Sequence, residues 1–171
     1  MDARAPAATL LRSATDADVD RLVVLINAAY QVEKFFIAGD RTDAGDLRAR
    51  MQRGEFLVLE PEPSVFAGCV FVSINGSDGF MGMLSVSPER QGQGIGTTLA
   101  IAAEDHCRSR GCTRMEIEVV NLRTELPPFY RRLGYEEAGE RPFPDATRAT
   151  RACHFVVMRK SIRTGEAAGR S

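Results

Sequence analysis

Between residues 91 and 97 the chain reads Gln-Gly-Gln-Gly-Ile-Gly-Thr, with three glycines at alternate positions after a strand-like run that ends at Val86. Glycine lets backbone N–H groups fold around an oxyanion, and a helix that begins there adds its positive end, so the natural guest is a phosphate. A nucleoside triphosphate, a dinucleotide and the pyrophosphate of coenzyme A are the three ligands to weigh. A triphosphate loop requires a Lys directly after its glycines, and none follows here. A dinucleotide loop requires G-x-G-x-x-G immediately after its strand. Here Thr97 occupies the third glycine position and Ser87-Pro88-Glu89-Arg90 separates strand from loop, although Glu116 and Glu118 lie near the distance of a ribose-binding acid. Those two carboxylates alternate with Met115, Ile117 and Val119 and therefore share one face of a strand, where they could relay a proton or pair with arginine.

The remaining reactive side chains form no familiar constellation. Cys69, Cys107, Cys112 and Cys153 include no C-x-x-C pair, and His106 and His154 are far apart, so no metal is expected. Cys107 and Cys112 read as small core residues with no neighbouring base, and His106 as a satisfied helix histidine.

The elements that must position these groups follow from periodicity. Thr15 and Asp18 form a capping pattern before Val19, Leu22, Val23, Ile26 and Ala29, a helical stripe. A turn-rich stretch leads to a second helix over Ala44 to Gln52. Strands are expected at Glu55 to Glu60, Ser64 to Ile74 and Gly79 to Val86, with a hairpin signal at Asn75-Gly76-Ser77-Asp78-Gly79. A helix then runs from the glycine loop to about Arg110, followed by a strand at Arg114 to Val120 and a short helix at Leu126 to Leu133. Two last strands are expected near Tyr135 to Glu140 and Ala152 to Met158. Twenty-two Lys+Arg against 23 Asp+Glu in 171 residues give a net charge of −1, which argues against a nucleic-acid partner. With no run of about 18 apolar residues, no membrane partner is expected either, and a cytoplasmic location with reduced thiols fits.

Gln91-x-x-Gly94-x-Gly96, after a strand ending Leu84-Ser85-Val86 and a Pro88-Glu89-Arg90 turn, resembles the acyl-CoA signature of the GNAT N-acetyltransferase superfamily. Asn121 and then Phe129-Tyr130-Arg131-Arg132-Leu133-Gly134-Tyr135 resemble that family's second landmark. The resemblance covers residues 9–160 as a single domain, leaving 1–8 and 161–171 as flexible tails. It implies an α/β (α+β) fold: a twisted, mostly antiparallel sheet, splayed where acetyl-CoA enters, with about four helices.

By the same resemblance, the backbone of Leu84, Ser85 and Val86 pairs with pantetheine. Gln91, Gly92, Gln93, Gly94, Ile95, Gly96 and Thr97 hold the pyrophosphate, and Asn121 and Tyr130 complete the acetyl-CoA site. A Cβ at residue 94 or 96 would hold the backbone away from the phosphate. The implied reaction is direct attack of a primary amine on the acetyl-CoA thioester within a ternary complex. Tyr130 then serves the departing sulfur, and Glu116 or Glu118 the amine proton, with Glu33 and Asp40 as rival acids and His154 on a strand bordering the acceptor. The stretch from Asn121 to Tyr130 is about two residues longer than the usual family spacing, so Arg123 could take part of the place of Asn121. A non-catalytic acyl-CoA-binding module is the alternative, and the resemblance also admits a homodimer. Nothing in the sequence names the acceptor.

Overall fold

A computed structural model describes residues 9–145 and 147–164. Seven strands form one sheet: β1 (Leu10–Ser13), β2 (Glu55–Glu60), β3 (Gly68–Asn75), β4 (Asp78–Val86), β5 (Arg114–Val120), β6 (Glu136–Pro142) and β7 (His154–Ser161). Their order is β1-β2-β3-β4-β5-β7-β6, and every neighbouring pair is antiparallel except β4 and β5. The helices α1 (Val19–Ala29) and α2 (Ala44–Met51) cover one face, and α3 (Ile95–Ser109) and α4 (Leu126–Arg132) the other.

Strict alternation along β2 and β3 builds both layers. Leu57, Val70 and Val72 pack with Leu99, Ala103 and Met158 toward α3, while Phe56, Val58 and Phe71 pack with Leu22, Ile26 and Leu47 toward α1 and α2. Met81 and Met83 would share a face on a regular strand, yet Met81 joins the α3 layer and Met83 the α1 layer. The cause is a bulge: from Cys69 to Phe71 on β3 the partner strand advances from Ser85 to Gly82, one residue too many. Met83 takes a left-handed φ of 50°, and Ser85 Oγ donates to the Met83 carbonyl at 2.9 Å. A bulge of this kind bends its strand and raises its twist. Here it lies just beyond the last β4–β5 pair, Phe80 with Glu116.

Two strand ends differ from the sequence reading by three residues or more. β3 starts at Gly68 rather than Ser64, because Pro61 and Pro63 hold a turn that continues to Val65, with Ser64 at φ 65°. β7 runs to Ser161 rather than stopping at Met158, and Ile162 is buried with its N–H donating to the Thr113 carbonyl at 2.9 Å. Apolar Ile162, two residues past the expected domain end at 160, packs in the core. The segments 1–8 and 165–171 lie outside the described residues. Pro127 and Pro128 sit in the first turn of α4, where a missing N–H costs nothing. No described helix is long and apolar enough to cross a membrane.

The capping pattern at Thr15 is a charged hub. Asp18, 2% exposed, accepts from the Thr15 N–H at 2.8 Å, from Arg12 at 2.7 and 3.0 Å and from Arg21 at 2.6 Å. Hydrogen bonds from Arg12, reinforced by the Thr15 N–H against the cost of burial, hold its carboxyl far below the usual carboxylate range. A carboxyl depressed on folding contributes stability above its unfolded pKa of about 3.9 and loses it as pH falls toward the folded value. Asp18→Asn is expected to cost about 2 kcal/mol at pH 7. In urea denaturation the gap from the parent protein should shrink steadily below about pH 4; a gap independent of pH would contradict the assignment.

Candidate active site

Beyond Phe80 and Glu116 the two central strands part. β5 keeps its full ladder with β7, from Arg114 opposite Ser161 to Val120 opposite Phe155. On the other side, the edge of β4 from Met81 onward and the edge of β5 from Ile117 onward have no strand across them among the described residues. Unpaired strand edges are templates for a ligand that can hydrogen-bond like a strand. Between them lies a cleft of about 1370 Å³, lined by Met81, Leu84 and Val86 on one wall and Ile117, Glu118 and Val120 on the other. Its size exceeds the roughly 300–1,000 Å³ of a pocket for one small ligand, so two reactants fit.

One end of the cleft is the start of α3. Gly94 is its N-cap with φ 78° and ψ 9°, and Gly92 shares φ 78°. Only glycine adopts that conformation without strain, so these two residues are required by the backbone itself. A Cβ on either would meet no protein atom within 4 Å, leaving an open cradle above the loop. The first N–H groups of α3 have no acceptor inside the helix and point with its positive end at this cradle. Gly96 differs: its φ is ordinary, and a Cβ there would meet the Phe129 ring at 3.6 Å and Val86 at 3.8 Å, both ordinary contacts.

In the middle of the cleft stands Tyr130 of α4, 7% exposed and packed edge-on against Phe129 and Tyr135 with ring centroids 4.9 and 5.7 Å away. Its ring is buried, while its hydroxyl, which has no hydrogen-bond partner among the described residues and is not among the fully buried atoms, opens on the cleft. Burial, reinforced by Tyr30, pushes its pKa well above the ordinary value, with Arg123 opposing. The group therefore stays protonated across any working pH.

The far end is built by the 3-10 turn Tyr30–Glu33, by residues 37–46, and by Phe143 and Arg148 from the β6–β7 connection. Glu33 is 7% exposed and accepts from Arg123 Nη1 at 2.8 Å, while Arg123 Nε donates to Glu125 at 2.6 Å. Burial pushes the Glu33 pKa up, against the opposing pull of Arg123 and then Arg41.

A family model for the acetyltransferase (GNAT) family matches residues 21–135, more than half of the chain. The chain belongs to the GNAT acetyltransferase family. GNAT membership makes it an acyltransferase. Solved structures share the fold at low identity. The ribosomal-protein-S18-alanine N-acetyltransferase from Escherichia coli has a TM-score of 0.68 and 21% identity over 93% of this chain and 97% of its own. A Salmonella typhimurium protein solved with its cofactor acetyl-CoA has a TM-score of 0.69 and 21% identity over 95% and 99%. Nourseothricin acetyltransferase has a TM-score of 0.71 and 18% identity over 91% and 99%.

On this GNAT scaffold the residues expected from the sequence divide by position. Leu84, Val86, Gln91, Gly92, Gly94, Ile95, Gly96, Thr97 and Tyr130 all line the cleft. Ser85 is 1% exposed and its side chain serves the bulge, while Gln93 lies in the exposed loop beside the cradle. Asn121 acts as a clamp: its Oδ1 accepts from the His154 N–H at 2.9 Å and its N–H donates to the His154 carbonyl at 3.0 Å. Arg123, two residues on, reaches the cleft in its place.

The two strand carboxylates do share a face, and arginine meets both. Arg141 bonds Glu116 at 2.5 Å and Glu118 at 2.7 Å, and Arg159 bonds Glu116 at 2.9 Å. Burial would raise the Glu116 pKa, but these two guanidinium groups outweigh it and hold the carboxyl low. Glu118 lines the cleft wall; Glu116 stands one pair deeper, where β4 and β5 are still joined. Asp40 lines the mouth, 3.9 Å from Lys34. His154 faces Glu140 at 3.4 Å and His106 faces Glu55 at 3.7 Å, neither on the cleft wall. Cys107 and Cys112 are buried in the α3 layer. Among the described residues no cluster of His, Cys, Asp or Glu is arranged to hold a metal.

Sequence reasoning missed Tyr30, Arg41 and the strap from the β6–β7 connection. The strap is invisible locally, because it is made by backbone pairing across more than 100 residues: the Ala38 N–H donates to the Arg148 carbonyl at 2.9 Å and the Thr150 N–H to the Phe36 carbonyl at 2.8 Å.

Proposed function

We propose that this GNAT protein transfers the acetyl group of acetyl-CoA to a primary amine by direct attack while both are bound. The observation that carries the reading is the Tyr130 hydroxyl, without a partner among the described residues, opening on the cleft where β4 and β5 have parted. The glycine cradle at Gly92 and Gly94 suits the pyrophosphate of CoA, and the open edges of β4 and β5 suit the amide groups of pantetheine. That arrangement brings the thioester toward Tyr130. The amine nitrogen bonds to the acyl carbon as the bond from that carbon to sulfur breaks. Tyr130 gives its proton to the sulfur, and Glu33 takes the proton leaving nitrogen. Glu33 bonds Arg123 just as Glu116 and Glu118 bond Arg141, and it is favoured because it is buried in the acceptor end, where burial outweighs Arg123 and raises its pKa, whereas Arg141 and Arg159 hold Glu116 low and Glu118 lies on the β5 wall away from that end.

A base must be ionised to act. With its pKa raised, Glu33 ionises at higher pH than an ordinary carboxyl, so kcat/KM should rise with pH through that displaced limb and then level. Glu33→Gln is expected to lower the plateau about a hundredfold and remove the limb. Glu116→Gln should leave both in place, and Glu118→Gln should keep the limb. If the limb survives in Glu33→Gln and vanishes in Glu118→Gln, the base is Glu118. The reaction itself is tested by following release of the CoA thiol against a panel of amines, amino acids, aminoglycosides and peptides. Binding of acetyl-CoA without acetylation of any of them would favour an acyl-CoA-binding module.

A further inference from the structure

Charge in the acceptor end is balanced with one exception. Every carboxylate on the cleft wall has a partner: Glu33 and Glu125 on Arg123, Asp46 on Arg50, Glu118 on Arg141, Asp145 on Arg148, Asp40 near Lys34, and Asp43 on the Asp46 N–H. Of the four arginines on the wall, Arg50, Arg123 and Arg148 are thereby engaged. Arg41 alone makes no ion pair or hydrogen bond among the described residues. Its guanidinium instead lies over the Tyr30 ring, 5.2 Å from the centroid, so its direction is set while its donors stay open.

Enclosure limits the size of what reaches it. Ile37 bridges Ala149, the backbone bonds between residues 36–38 and 148–150 tie the two rims together, and Arg148 also donates to the Asp40 carbonyl. A groove open at both rims would admit a polypeptide; rims joined by a strap favour a compact molecule.

We infer that the acceptor is a free amino acid, its amine directed to the thioester and its carboxylate held by Arg41. This rests on the acetyl-transfer reading above and adds the substrate class. A planar guanidinium with open donors matches a carboxylate bidentately, and the aromatic ring beneath keeps the fork fixed. The position of Arg41 beside Tyr30 and Glu33 assigns it to the amine end rather than to the glycine cradle at the start of α3.

The test compares the twenty proteinogenic amino acids with their carboxamides in the CoA-thiol assay, using wild type, Arg41→Gln and Arg41→Lys. A carboxamide has the less basic amine and presents more of it neutral at pH 7, so intrinsic reactivity favours the amide. Wild type is expected to prefer at least one free acid over its amide by at least about tenfold in kcat/KM. Arg41→Gln should abolish that preference through the acceptor KM and leave the Kd for acetyl-CoA unchanged, with Arg41→Lys restoring part of it. Equal or better use of the amides, turnover only with peptides or polyamines, or an Arg41→Gln effect on acetyl-CoA binding instead of acceptor preference would each overturn the inference. Loss of acetyl-CoA binding by wild type would instead overturn the transfer reading on which it stands.

Discussion

Tyr130→Phe should lower kcat by about a hundredfold while leaving the fold and the Kd for acetyl-CoA intact, as measured by CoA-thiol release and calorimetry. The substitution removes one oxygen. Both ring contacts, to Phe129 and Tyr135, survive it. Because the hydroxyl has no partner among the described residues, its removal leaves none of them unsatisfied, and the stability change should stay within about 0.5 kcal/mol. That separates two roles which mutagenesis often confounds. A tyrosine serving only the core would show unchanged turnover, and a tyrosine holding CoA in place would show a raised Kd. A proton donor shows neither; it shows a loss of kcat across the pH range, since burial keeps the phenol protonated throughout.

The second large effect is expected from Gly94→Val. A β-branched residue at φ 78° costs about 1–2 kcal/mol of backbone strain, which the helix start can relieve by turning its first N–H groups out of position. Losing two charge-assisted hydrogen bonds to the pyrophosphate, about 1.5 kcal/mol each, should weaken acetyl-CoA binding at least about a hundredfold. Gly96→Ala is the informative companion. Its Cβ meets only the Phe129 ring at 3.6 Å and Val86 at 3.8 Å, and an alanine in the first turn of α3 should hold or improve stability by up to about 1 kcal/mol. If Gly96→Ala is stable and yet binds acetyl-CoA poorly, the glycine serves the close approach of ligand rather than the fold. If both variants bind normally, the cradle at Gly92 to Thr97 is not the phosphate site.

The parts of the site that local chemistry specifies were legible in the sequence. Three alternate glycines before an apolar-periodic helix point to an anion cradle, and positive φ is the backbone reason for two of them, Gly92 and Gly94. Alternation placed Glu116 and Glu118 on one face, but could not show that Arg141, from a strand 23 residues further on, would reach both. The Met83 bulge was hidden as well: Gly79 to Val86 reads as a regular strand, and only the extra residue opposite β3 turns Met83 to the other face and lets β4 leave β5. The acceptor end was the least visible. Tyr30, Glu33 and Arg41 fall in a stretch without periodicity, and they become a wall only when residues 148–150 are paired across them. Long-range backbone pairing carries no local sequence signal, whereas a turn, a cap or a helix stripe does.

Calorimetric titration of the wild-type protein with acetyl-CoA, run beside NAD and ATP, tests the central claim most directly. The splayed cleft and its glycine cradle predict saturable one-to-one binding of acetyl-CoA, with no comparable heat from the other two nucleotides. Binding of NAD or ATP with none of acetyl-CoA would contradict it.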